Sequence, residues 1–150
     1  YAPHGVAVLV ETATDNNTRT VANIRSCFNK HEGNLGTSGS VSFMFDHTCN
    51  FRINKEGLDS EEIELDFIDF GVEEVFIDEN DILIYAPFEY FGEIQSELEK
   101  RKIEIISSGF DRIPNTFKEV NDGQKTEIEK LLEKIENDDD VQNVYHSMKE

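Results

Sequence analysis

Glu73-Glu74-Val75-Phe76-Ile77-Asp78-Glu79-Asn80-Asp81-Ile82-Leu83-Ile84-Tyr85 decides the fold. Two stretches, Glu73 to Asp78 and Ile82 to Tyr85, flank Glu79-Asn80-Asp81, a polar turn whose residues tolerate unusual backbone angles. That combination predicts a β-hairpin. Outward on the N-terminal side, Asp59 or Ser60 caps a helix carrying Ile63, Phe67 and Phe70 that stops at Gly71, and Cys49 to Ile53 reads as a strand. On the C-terminal side Phe91, Ile94 and Leu98 give Phe88 to Lys102 a helical period, with Pro87 at a tolerated N-terminal position, and Ile103 to Ser108 reads as a strand. The block is therefore β-α-β-β-α-β, a complete split βαβ unit.

The flanks repeat half of that pattern. Gly5 to Thr14 alternates Val6, Val8, Val10 and Thr12 as a strand, Asp15 to Asn17 supply N-cap chemistry, and Val21, Ile24 and Phe28 mark one face of a helix. Gly33 falls where a left-handed C-cap belongs, with His31 beside the last carbonyls. Val41, Phe43 and Phe45 alternate as a second strand. Near the other end, Arg112 to Val120 reads as extended, Asn121 caps a helix through Ile128, Leu131, Leu132 and Ile135, and Val141 to His146 closes as a strand. The predicted class is α+β, built of two ferredoxin-like units with the second inserted into the first. The outer unit is expected over 1–48 plus 110–150 and the inserted unit over 49–109. No Pro/Gly/Ser-rich linker marks either boundary, so packed rather than tethered units are expected.

The chain has 150 residues, 37% hydrophobic and 10% aromatic, enough to bury a core without staples. Its net charge of −18 is uneven: residues 1–55 hold five basic against four acidic side chains, and the remaining 95 hold nine against 28. Nucleic-acid affinity comes mainly from Lys and Arg neutralising phosphates, so most of this surface repels DNA and RNA. Solvation of exposed helix faces is the plain reading of the acidity, and a surface for a basic partner is the other. Cys27 and Cys49 stand in no zinc or disulfide spacing, which suits a reducing, cytoplasmic setting. No apolar run reaches the roughly 20 residues that cross a bilayer, so no membrane partner is expected.

Few residues suggest chemistry. His4, His31, His47 and His146 are scattered and show no metal-ligand spacing, the Asp138-Asp139-Asp140 run lacks EF-hand spacing, and 32 carboxylates define no acid/base pair. The expectation is no catalytic residue, no metal, no cofactor and no enzyme; an enzyme acting on a small ligand between the units is the remote alternative. Gly33 to Ser40 invites a phosphate-binding reading, yet it leads into a strand and lacks a Gly-Lys-Ser/Thr ending. A turn requiring glycines and a contact loop for RNA, DNA or ribosome stay open for it, the latter through Asn34, Thr37, Ser38 and Ser40. Arg19, Arg25 and Lys30 form the basic cluster of the first helix, where surface ion pairing and phosphate contact are both open. Arg19 and Lys30 share an exposed face by period, with Arg25 off that line.

Several stretches also carry a resemblance: Pro3-His4-Gly5-Val6-Ala7-Val8-Leu9-Val10-Glu11, Asp15-Asn16-Asn17-Thr18-Arg19-Thr20, Gly33-Asn34-Leu35-Gly36-Thr37-Ser38-Gly39-Ser40-Val41, Phe43-Met44-Phe45 and Asp139-Asp140-Val141-Gln142-Asn143-Val144-Tyr145-His146. In this order they resemble the YebC/PmpR family of bacterial proteins and its mitochondrial relatives, closely from Pro3 to Phe45 and from Lys130 to His146, more loosely between. His4 and Glu32 depart from the pattern, which has glycine there, and the Asn16-Asn17 step is short. The resemblance implies a cytoplasmic regulator of gene expression that binds DNA, or alternatively a ribosome-associated translation factor relieving stalled synthesis. It also implies a Lys/Arg-rich helical domain ahead of Tyr1, making this chain a fragment whose nucleic-acid binding resides mainly in the missing part.

Overall fold

The computed structural model describes residues Tyr1–Glu150. In chain order the regular elements are β1 (Val8–Thr12), α1 (Asn17–Lys30), β2 (Phe45–Asn54), α2 (Ser60–Phe67), β3 (Glu74–Asp78), β4 (Asp81–Pro87), α3 (Phe91–Lys100), β5 (Ile105–Pro114), α4 (Asp122–Glu136) and β6 (Val141–His146). The architecture is α+β, with a two-stranded sheet β1-β6 and a four-stranded sheet ordered β3-β4-β2-β5. The chain divides into two compact units, Tyr1–Phe45 with Pro114–Glu150, and Asp46–Ile113.

In the unit 46–113, the order β3-β4-β2-β5 is the split βαβ arrangement. The hairpin forms as the sequence predicts, with Asp78 opposite Asp81; Glu79 takes the left-handed backbone conformation at φ 55°. Alternation then sorts the side chains. Cys49, Phe51 and Ile53 of β2 pair with Ala86, Ile84 and Ile82 of β4 and are buried with Ile63 and Phe67 of α2 and Ile94 and Leu98 of α3. Both helices thus cover one face of the sheet. Burial pushes the Cys49 thiol up to about 11, so it stays protonated at neutral pH. Helix α2 is capped by the Asp59 carboxylate accepting from Glu61 N–H, and Gly71 follows the last turn at φ 91°.

Elsewhere the boundaries shift. The helix expected over Phe88 to Lys102 is a 3-10 turn at Phe88–Tyr90 followed by α3, and β5 continues through Pro114 where a strand ending at Ser108 was expected.

The other unit packs β1, α1 and α4 around Val6, Val8, Ile24, Phe28, Ile128, Leu131, Leu132 and Ile135. β1 pairs antiparallel with β6 from Val8 opposite His146 to Thr12 opposite Val141, with a register irregularity at Glu11/Thr12. The strand expected at Val41 to Phe45 does not form. Ser42–Met44 is a 3-10 turn, closed by the Ser42 hydroxyl donating to Gly39 O and by Met44 N–H donating to Val41 O. Val41 and Phe45 turn inward while Phe43 is 73% exposed, so an apparent period of two was a turn whose Ser side chain competes for backbone groups. The extended stretch after Pro114 makes a single parallel bridge, Lys118 with Met148. This unit accordingly carries two laddered strands where four were counted.

Within the Asp15 to Asn17 stretch expected to cap α1, a single residue does so. Asn16, rather than Asp15 or Asn17, is the N-cap: its side-chain oxygen accepts from Arg19 N–H at 3.0 Å. At the other end His31 is the C-cap, and Glu32, not Gly33, is left-handed at φ 60°. Gly33 N–H then donates to Phe28 O at 2.7 Å, closing a Schellman-type turn. Glycine is needed at 33 for space: a Cβ there would sit 2.7 Å from Tyr1 O and 2.9 Å from the Phe28 ring. The buried face of α1 is Thr20, Ile24 and Phe28, whereas Val21 is 43% exposed.

Candidate nucleic-acid contact site

The Schellman turn after α1 aims the chain back across β1, and residues 34–41 cover a groove between β1 and α1. Tyr1 fixes that path from beside it. Asn34 N–H donates to Tyr1 O at 2.9 Å, the Tyr1 amino group donates to Asn34 O at 2.8 Å, and the Tyr1 hydroxyl reaches Met44 Sδ at 3.3 Å. Ser40 N–H closes the loop's tip onto Thr37 O at 3.1 Å, with Gly39 left-handed at φ 85°. Gly36 has the Ser40 hydroxyl where a Cβ would stand, at 2.7 Å.

Beneath this loop is a cavity of about 370 Å³. Its floor is apolar, from Val8 and Val10 of β1 and Ile24 and Phe28 of α1, and its rim is polar. Of the seven residues the sequence singled out, Arg25, Asn34, Thr37, Ser38 and Ser40 line it together. Arg19 and Lys30 do not. Arg19 donates to the Asp140 carboxylate at 3.0 Å and lies 3.7 Å from Asp15, so its charge is already matched. Lys30 is exposed in the last turn of α1, where a cation suits the helix dipole. Arg25, off the Arg19–Lys30 line by period, is the cation that reaches the groove.

Asp140 gives the acidic run a structural role. Its carboxylate accepts from the Thr20 hydroxyl at 2.8 Å and from Arg19, and these bonds hold its carboxyl below the usual range. The run ties the end of α4 to the start of α1. Sequence reasoning missed Tyr1, Leu35 and the groove floor as parts of the site. The signal for the floor was present, since Val8 and Val10 alternate along a strand and Ile24 and Phe28 share a helix face, but such periodicity does not say that a loop leaves space above them.

A family model of the TACO1/YebC second and third domain matches residues 1–148. The chain belongs to the TACO1/YebC family. It is 68% identical over its whole length to a protein of Flavobacterium johnsoniae named "Probable transcriptional regulatory protein", of which it covers 63%. A protein of the same name from Parabacteroides distasonis is 57% identical, with 62% of its length covered. This chain therefore spans somewhat under two thirds of these curated relatives. The crystal structure of a conserved hypothetical protein from Aquifex aeolicus superposes with a TM-score of 0.72 at 34% identity, over 99% of this chain and 62% of that one. The TACO1/YebC match and the α+β fold agree with what the quoted stretches implied. No helix is long and apolar enough to cross a membrane.

Proposed function

We propose that this chain is the partner-contact portion of a cytoplasmic regulator of gene expression, and that the rim of Arg25, Asn34, Thr37, Ser38 and Ser40 touches nucleic acid. The observation that carries it is the convergence of those five side chains on one cavity. The chain binds rather than catalyses in this reading, with the principal phosphate contacts supplied by a basic domain outside it. Control of transcription is supported by the names of the relatives, and contact with DNA is the step this reading adds.

A second reading, a ribosome-associated translation factor, is favoured by the character of the groove. Stacked base pairs present only their edges, whereas an apolar floor under hydroxyls, an amide and one Arg suits an unpaired base of single-stranded RNA. Helices α2, α3 and α4 are acidic and present no row of base-edge donors, which also weighs against duplex reading by this part.

The test is sedimentation of the full-length protein through a lysate gradient, with and without nuclease, alongside an Arg25→Glu variant. RNA-dependent co-migration with ribosomes that Arg25→Glu reduces about tenfold supports the translation reading. Retention on DNA with absence from ribosomes supports the transcriptional one. Indifference of both to Arg25→Glu and Ser38→Asp removes the groove from either.

A further inference from the structure

Strand β3 is one edge of the four-stranded sheet, and no strand lies along its far side. Edges are usually blunted by charge. This one carries carboxylates at its ends and, between them, exposes an apolar side chain on each face. Phe76, 49% exposed, lies on the face away from the helices, opposite Leu83 and with its ring 5.8 Å from that of Tyr85 at 74°. Ile77, 52% exposed, lies on the helix-covered face opposite buried Ile82. A molecule resting on either face covers one of the two; a strand paired along the edge covers both.

The chemistry around the edge says what kind of strand. Glu73, Glu74, Asp78 and Glu79 bracket the apolar pair and are exposed. Residues 46–113 hold 19 acidic against six basic side chains, and two of the six, Arg52 and Arg101, are already matched. Arg52 donates to Asp81 at 2.8 Å and to Asp78 at 3.0 Å, and Arg101 to Glu97 at 2.8 Å and Asp66 at 3.0 Å. A second copy of β3 is a poor occupant, because antiparallel self-pairing about Phe76 sets Glu74 against Asp78, and opposed like charges destabilise. Nucleic acid is repelled by the same carboxylates.

We propose that β3 accepts, as a fifth strand, an extended segment of a partner protein with apolar residues at its centre and Lys or Arg at both ends. Main-chain hydrogen bonds would supply the affinity and the flanking carboxylates the choice of partner. This site is separate from the loop over α1 and does not depend on its reading.

The probe is a labelled, end-blocked peptide Arg-Lys-Val-Thr-Val-Lys-Arg, with Glu at all four charged positions as its counterpart, titrated against the 150-residue chain. Fluorescence anisotropy gives affinity and backbone amide spectra locate the site. Salt-sensitive binding of the basic peptide with shifts over Glu73–Glu79 is expected. Glu74→Lys weakens it about tenfold and Ile77→Thr roughly fivefold, each variant melting within a few degrees of the parent. Equal binding of the acidic peptide, shifts confined to other elements, or displacement from β3 by oligouridylate overturns the proposal. So does a concentration-dependent dimer that Ile77→Thr abolishes.

Discussion

His4 and Glu32 show how a single backbone angle constrains a residue. Both are left-handed, at φ 67° and 60°, a backbone region that favours glycine. An L-residue there costs about 1–2 kcal/mol, partly offset because glycine loses more chain entropy on folding. Glu32→Gly therefore raises stability by about 0.5–1 kcal/mol, read as a higher urea midpoint. His4→Gly gains less, since His4 Nε2 also meets Glu127 Oε2 at 2.6 Å. Gly71 is the converse case, at φ 91° with the Tyr90 ring where a Cβ would stand. Gly71→Ala costs about 3 kcal/mol or more by thermal denaturation.

Asp140 gives a pH dependence with a definite sign. Its folded carboxyl is held low, first by the Thr20 hydroxyl and then by Arg19, so its stabilising contribution is complete above the unfolded value of about 3.9. It is lost as pH falls through the lower folded value. Asp140→Asn is accordingly less stable than the parent at neutral pH, and the two converge in acid when unfolding is followed across pH.

At the scale of elements, caps and alternation act locally, and most of them were legible. Asn121 and Gln124 form a reciprocal capping box at α4, with bonds of 2.8 and 3.1 Å, and Asn121→Ala costs about 1 kcal/mol with fraying visible by circular dichroism. Helix α2 begins after Asp59 and the hairpin turns at Glu79-Asn80 because those choices depend on neighbours a few residues away. Val41 to Phe45 does not form a strand, although the bonds that decide it are just as local. Its period-two pattern fits a strand or a turn, and the turn wins where Gly39 and Ser42 close it, leaving Phe43 in solvent.

The whole molecule has two hydrophobic clusters that share no residue, one in each compact unit. Phe51→Ala and Ile128→Ala each remove a fully buried side chain and cost about 3–5 kcal/mol and 2–5 kcal/mol. Amide exchange should accelerate mainly within 46–113 for the first and mainly outside it for the second, which checks whether the units are separate cooperative bodies. By itself the sequence determined the α+β class, the helices with the N-caps of α2 and α4, the central hairpin, the family and the charge, because each rests on periodicity, capping chemistry or composition confined to short stretches. Only the tertiary structure decided that Arg25 rather than Arg19 or Lys30 joins the loop at a groove, that Asp140 is the carboxylate that engages Arg19 and Thr20, and that Phe76 and Ile77 are left exposed on the edge strand β3. Those facts depend on which distant segments meet, and a side chain's availability is fixed by the neighbour that reaches it first.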